Sequence, residues 1–240
     1  MLMLLMAAHS LAARSDGATP VRIGSKAFSE SHILAEIAAQ LLESRGIAVE
    51  RKLGLGGTLI AFEALRGGSV DLYPEYSGTL TETVLGAPGL SREALQAALA
   101  ARELELAVFF GFDNSYAIAV PEQLAKELDM QSISDLAAHP QLRLKFSHEF
   151  LNRGDGWPAL QAAYGLPQRP GGIEHALAYR ALANGSLDAT DAYTTDGELA
   201  AHALRLLQDD RGFFPDYSAA LLIRRDLPQR ARETLSALAG

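Results

Sequence analysis

The sequence predicts an α/β protein built as two lobes with a cleft between them. Strand and helix signals alternate from residue 21 to residue 73, and alternate again from 121 to 193. No Pro/Ser-rich linker separates the two series. Two α/β halves joined without a linker point to lobes connected by crossing strands. A chain of 240 residues is long enough to give each lobe its own small core.

Each element has its own signal. Residues 21–24 read as a short strand ending at a glycine. Apolar residues at 33, 34, 37, 38, 41 and 42 have helical spacing, and Gly46 is a stop. Residues 47–53 alternate apolar and charged, as a half-buried strand does. Gly54 to Gly57 form a turn, and Thr58 is a candidate cap for a helix over 59–66. A third strand over 70–73 carries Pro74-Glu75-Tyr76-Ser77-Gly78-Thr79 at its carboxyl end, where open α/β sheets hold ligands. A helix begins at 80, and another, capped by Ser91, follows it to 104. Strands are expected at 106–110 and 115–120. Beyond them come helix 121–127, strand 142–146, helices 157–164 and 173–184, strand 189–193, strand 219–223 and helix 229–238. The lobes implied are residues 21–111 with 218–240, and residues 112–217.

Composition excludes several functions. There is no cysteine, so no disulfide framework, thiolate catalysis or cysteine-ligated metal. A net charge of −8 argues against a nucleic-acid partner. The six histidines are scattered without metal-ligand spacing. Neither a G-x-S-x-G elbow nor a P-loop occurs, so an enzyme has no visible nucleophile, and no cofactor is expected. Residues 1–20 read as a leader. Their apolar run over 1–8 is too short to cross a bilayer, and Ser10-Leu11-Ala12 offers a signal-type cut after Ala12, although no Lys or Arg precedes the run. An exported, extracytoplasmic chain is expected.

Five tyrosines, Tyr73, Tyr76, Tyr116, Tyr193 and Tyr217, fall near strand ends beside small or polar residues. A lone tyrosine there is ordinarily half-buried with its hydroxyl bonded. Lys26 read singly is a solvated loop charge, Arg153 a surface partner of Asp155 or Glu149, and Thr79 a cap with Glu82 three residues on. Alternation along its strand turns Tyr73 away from Leu72, and Trp157, Tyr164 and Tyr179 sit in helical patterns that suggest core.

An ordered set of motifs changes that balance. The stretches are SKAFSE at 25–30, GGT at 56–58, DLYPEYSGT at 71–79, NSYA at 114–117, EFLNRGDG at 149–156, DAYTTDG at 191–197 and FPDY at 214–217. With these, the chain resembles the osmoprotectant ABC-transporter binding proteins, which take glycine betaine, proline betaine, choline or carnitine. The resemblance implies a type II periplasmic-binding-protein fold, a monomer, and a permease partner. It implies an ammonium cage of Tyr76, Tyr116, Tyr193 and Tyr217, with Lys26, Thr79 and Arg153 holding the solute's carboxylate. It also implies that relatives commonly run beyond residue 240. The chemistry is coherent, because a trimethylammonium group donates no N–H hydrogen bond and must be held by ring faces, while a carboxylate seeks charge-assisted donors. Choline, carnitine and ergothioneine are alternative solutes. A ligand-sensing module of a regulator is another role for the same fold.

Overall fold

A computed structural model describes residues 19–240. The leader expected over residues 1–20 therefore lies, up to residue 18, outside the described residues. Ten strands are distributed over a five-stranded, a three-stranded and a two-stranded sheet among the described residues.

The five-stranded sheet begins with β1 (Val21–Gly24), α1 (Ser29–Ser44), β2 (Val49–Lys52), α2 (Thr58–Arg66) and β3 (Leu72–Tyr76). α3 (Ser77–Thr79) continues into a π turn, Leu80–Val84. Then come α4 (Arg92–Ala100) and β4 (Leu104–Asp113). The chain next crosses to β5 (Tyr116–Pro121), α5 (Glu122–Glu127), β6 (Lys145–Ser147), α6 (His148–Asn152), α7 (Trp157–Tyr164), β7 (Gly171–Ile173), α8 (His175–Ala183), β8 (Thr190–Tyr193), α9 (Glu198–Ala201) and β9 (Leu204–Leu207). It returns through β10 (Ser218–Arg224) and α10 (Gln229–Leu235).

The large sheet has the order β2-β1-β3-β10-β4. β1 runs parallel to both β2 and β3, as strand–helix–strand crossovers require. β10 is antiparallel to both of its neighbours. Period-2 alternation sends Leu72, Leu221 and Ile223 to one face, against Ala35, Ala38, Ala39 and Leu42 of α1 and Leu235 of α10. Tyr73, Ala220 and Leu222 go to the other, against Phe62 and Leu65 of α2 and Leu95 and Leu99 of α4. The smaller sheet, β8-β5-β9, pairs residues 116–121 with 190–193 on one side and 204–207 on the other. Two segments join these sheets side by side: Asn114 donates its backbone N–H to the Tyr217 carbonyl, and Tyr217 N–H donates to Asp113.

Several expectations need correction. The buried stripe of α1 is alanine-rich and set one residue later than the sequence suggests, leaving Ile33 and Ile37 exposed by 59% and 44%. Thr58 does not cap α2, whose N-cap is Gly57; its hydroxyl donates to Glu149 of α6 instead. β3 runs on to Tyr76 through Pro74, past the strand end expected at 73. Pro74 fits because β1 pairs with β3 only at Leu72, so past that residue one edge of the strand is open. Strand β9 has no alternating pattern and was not foreseen.

Candidate functional site

All seven residues singled out in the sequence, Lys26, Tyr76, Thr79, Tyr116, Arg153, Tyr193 and Tyr217, line one cavity between the two sheets. Local folding explains the convergence. β1 ends at Gly24, which places Lys26 at the carboxyl edge of the large sheet. Tyr76 closes β3, and Thr79 sits in the helical turn that follows, buried and capping no helix. Tyr116 and Tyr193 are direct cross-strand partners in β5 and β8, so their rings share a face. Their ring centroids are 5.2 Å apart, and Tyr217 stands edge-on to Tyr116 at 5.8 Å. Tyr217 enters past Gly78, where a Cβ would lie 2.7 Å from both the Asp216 carbonyl and the Tyr217 ring.

The two cations are buried and paired. Lys26 Nζ donates to Glu75 Oε1 at 2.6 Å and lies 4.9 Å from the centre of the Tyr76 ring. Arg153 donates Nε and Nη2 to the two oxygens of Asp155, at 2.8 and 2.5 Å, and Nη1 to Glu149 at 3.4 Å. Its guanidinium sits 5.1 Å from the Tyr116 ring centre. Arg153 thus pairs with the acids named for it, but in the interior rather than on the surface. Burial, then neighbouring anions, hold the hydroxyls of Tyr76 and Tyr217 protonated far above the ordinary tyrosine range, Glu30 serving Tyr76 and Asp155 serving Tyr217. Tyr76 donates to Glu30 at 2.5 Å and Tyr217 to Asp155 at 2.6 Å.

Other residues of the site were not singled out. Phe28 packs its ring 5.1 Å from Tyr193 and 6.2 Å from Tyr76. Its sequence signal is its place inside SKAFSE. Asn114 lines the cavity and donates to Glu30 at 2.8 Å. Glu149 also lines it, and accepts the Thr58 hydroxyl at 2.8 Å across the gap between the sheets. Tyr73, by contrast, is fully buried in the large sheet and donates to Glu75 at 3.0 Å, away from the cavity. The cavity is closed down to about 20 Å³, room for a single water. Beside it lies a wider opening of about 290 Å³ that shares Lys26, Phe28, Glu149 and Tyr193.

Two α/β layers with an aromatic and basic pocket at their junction define the class of two-lobed solute-binding proteins. Residues 19–240 match the family described as the substrate binding domain of ABC-type glycine betaine transport system, and the chain belongs to that family. A glycine-betaine-binding protein of Pseudomonas aeruginosa is 35% identical over 237 residues, covering 90% of this chain and 75% of that protein. The ergothioneine transport permease/ergothioneine binding protein EgtU of Helicobacter pylori is 33% identical over 227 residues, covering 91% of this chain. The chain spans only 41% of the length of that second relative. A crystal structure of a glycine betaine/carnitine/choline ABC transporter protein superimposes with a TM-score of 0.73 at 29% identity, over 91% of this chain and 86% of that one. The fold is the two-lobed periplasmic-binding-protein fold that the motifs implied. Among the described residues no helix is long and apolar enough to cross a membrane.

Proposed function

We propose that this protein captures a quaternary-ammonium zwitterion of the glycine betaine type between its lobes and presents it to the permease of an ABC importer. The observation that carries the reading is the meeting of four tyrosine rings and two buried cations around one cavity. Tyr76, Tyr116, Tyr193 and Tyr217 form the ammonium cage, each desolvated contact contributing about 1–2 kcal/mol. Lys26, Arg153 and the Thr79 hydroxyl take the carboxylate; Glu75 and Asp155 aim the two cations and leave each with further N–H groups to donate. A solute of about eight heavy atoms at roughly −1 kcal/mol each reaches about −8 kcal/mol, which is micromolar affinity.

The lobes, residues 21–111 with 218–240 and residues 112–217, open about their two crossing segments to admit the solute. Closure then depends on the solute touching both walls. The protein works as an exported monomer, without turnover. The wider opening beside the cage favours a second reading, in which a longer trimethylammonium solute such as carnitine or ergothioneine extends through it. Calorimetric titration with glycine betaine, carnitine, ergothioneine, choline and an ordinary amino acid tests both. Saturable one-to-one binding of a trimethylammonium zwitterion, lost in Tyr193→Ala, is expected; a folded sample that binds none of the panel overturns the proposal.

A further inference from the structure

His175 opens α8 and stands against Tyr193, with ring centroids 4.5 Å apart at a 34° tilt. It lines the wider opening but not the cage cavity, so it reaches the cage only through that ring. Its Nε2 is 3.0 Å from Asp196 Oδ2. Its Nδ1 is 3.8 Å from Asp191 Oδ2 and is buried without a hydrogen bond. A neutral imidazole donates through one nitrogen only; a ring lying between two carboxylates suits the doubly protonated form.

Both carboxylates have a second task at the site. Asp196 accepts the backbone N–H of Tyr193 at 3.2 Å and the hydroxyl of Tyr179. Asp191 accepts the backbone N–H and the hydroxyl of Ser147, each at 2.6 Å. The Ser147 oxygen caps α6, the helix that carries Glu149 and delivers Arg153. One ring therefore bridges the turn that sets Tyr193 and the strand that sets the Arg153 helix.

We propose that His175 is a positioning residue of the solute site: held as an imidazolium between Asp191 and Asp196, it packs on Tyr193 and fixes that ring and the α6 wall for the solute. The inference rests on the cage assigned above. Burial works against the charged ring, but the Asp196 hydrogen bond and the charges of Asp191 and Asp196 outweigh it and push the imidazole up to about 9. The groups that face the ring are Asp191, Tyr193 and Asp196 from β8 and its turn, and Tyr179 from its own helix; Lys26, His148, Glu149 and Glu174 line the same opening.

The test pairs solute titration with NMR of the labelled histidines in the full chain. Wild-type His175 is expected to keep the imidazolium signature past about pH 8, and betaine affinity to stay level between about pH 6 and pH 8. His175→Phe keeps an aromatic ring without the charge; it should bind about tenfold more weakly, with no pH slope. Asp196→Asn removes one counter-charge, so the imidazole falls toward its ordinary value and binding weakens about tenfold further from pH 6 to pH 8. His175 titrating near or below about 6.5 in the wild type overturns the proposal, as does a His175→Phe protein that binds within about twofold of wild type. Wild-type protein that binds no solute in the panel counts against the proposed function instead. The His175 titration, and the Tyr193 ring-flip rate in wild type against His175→Phe, then still decide this inference.

Discussion

Arg51 and Arg153 each grip two carboxylates, yet they belong to different kinds of physics. Arg51, on β2, spans Glu36 and Glu43 of α1 at 2.6–3.0 Å, all three side chains being substantially exposed. Arg153 and Asp155 retain only 4% exposure each. In water the first network exchanges one hydration shell for another and is screened by salt. In the interior the second has surrendered its hydration, so either partner left alone is an uncompensated buried charge. Geometry alone does not separate the two; burial does. The Lys26–Glu75 pair, 6% and 0% exposed, belongs with Arg153.

That contrast can be broken from its strong end. Asp155→Asn leaves Arg153 buried against a neutral amide and should cost about 3–5 kcal/mol in urea denaturation. Saturating betaine should return part of that loss, because its carboxylate supplies the missing charge, whereas choline should return less. Equal rescue by both solutes would remove Arg153 from the carboxylate's side of the site. Gly78→Ala comes next. Its new methyl meets backbone and the Tyr217 ring, so a loss of about 1–3 kcal/mol is expected, together with weaker solute binding.

A pH ramp probes the third buried cluster. The His175 pKa is raised in the folded chain, so its contribution is fully present below about 6.5 and disappears as pH rises through about 9. Stability should fall by roughly 1–3 kcal/mol over that window, and His175→Phe should flatten the slope. The smallest effect belongs to the surface. Arg51→Ala should leave the denaturation midpoint unchanged within error in moderate salt, and a clear loss there would mean the exposed network is better shielded than its exposure indicates.

What the sequence disclosed follows the same divide between pattern and partner. Tyrosines and basic residues in ordered short motifs are legible because their spacing along the chain is the signal. Their counterparts were not. Glu75 sits inside DLYPEYSGT and looked like any acid, yet it is wholly buried and receives both Lys26 and Tyr73. Phe28 has no hydroxyl and only its place in SKAFSE to mark it. The buried face of α1 departs from the sequence pattern because isoleucine outweighs alanine in a periodicity count, while close packing on the sheet selects the smaller side chain. His175 carried no local signal, since both of its carboxylates lie well along the chain from it.

The position of β10 has a consequence for how the chain reaches this state. That strand lies inside the five-stranded sheet, next to the edge strand β4, pairing Leu222 with Tyr73 on one side and Leu106 on the other. Until residues 218–224 have been synthesised, β3 and β4 lack the partner they share, and the faces carrying Leu72 and Tyr73 have no continuous sheet on which to pack. The five-stranded sheet therefore stays incomplete until that strand emerges, and its completion is governed by a long-range closure rather than by local helix formation.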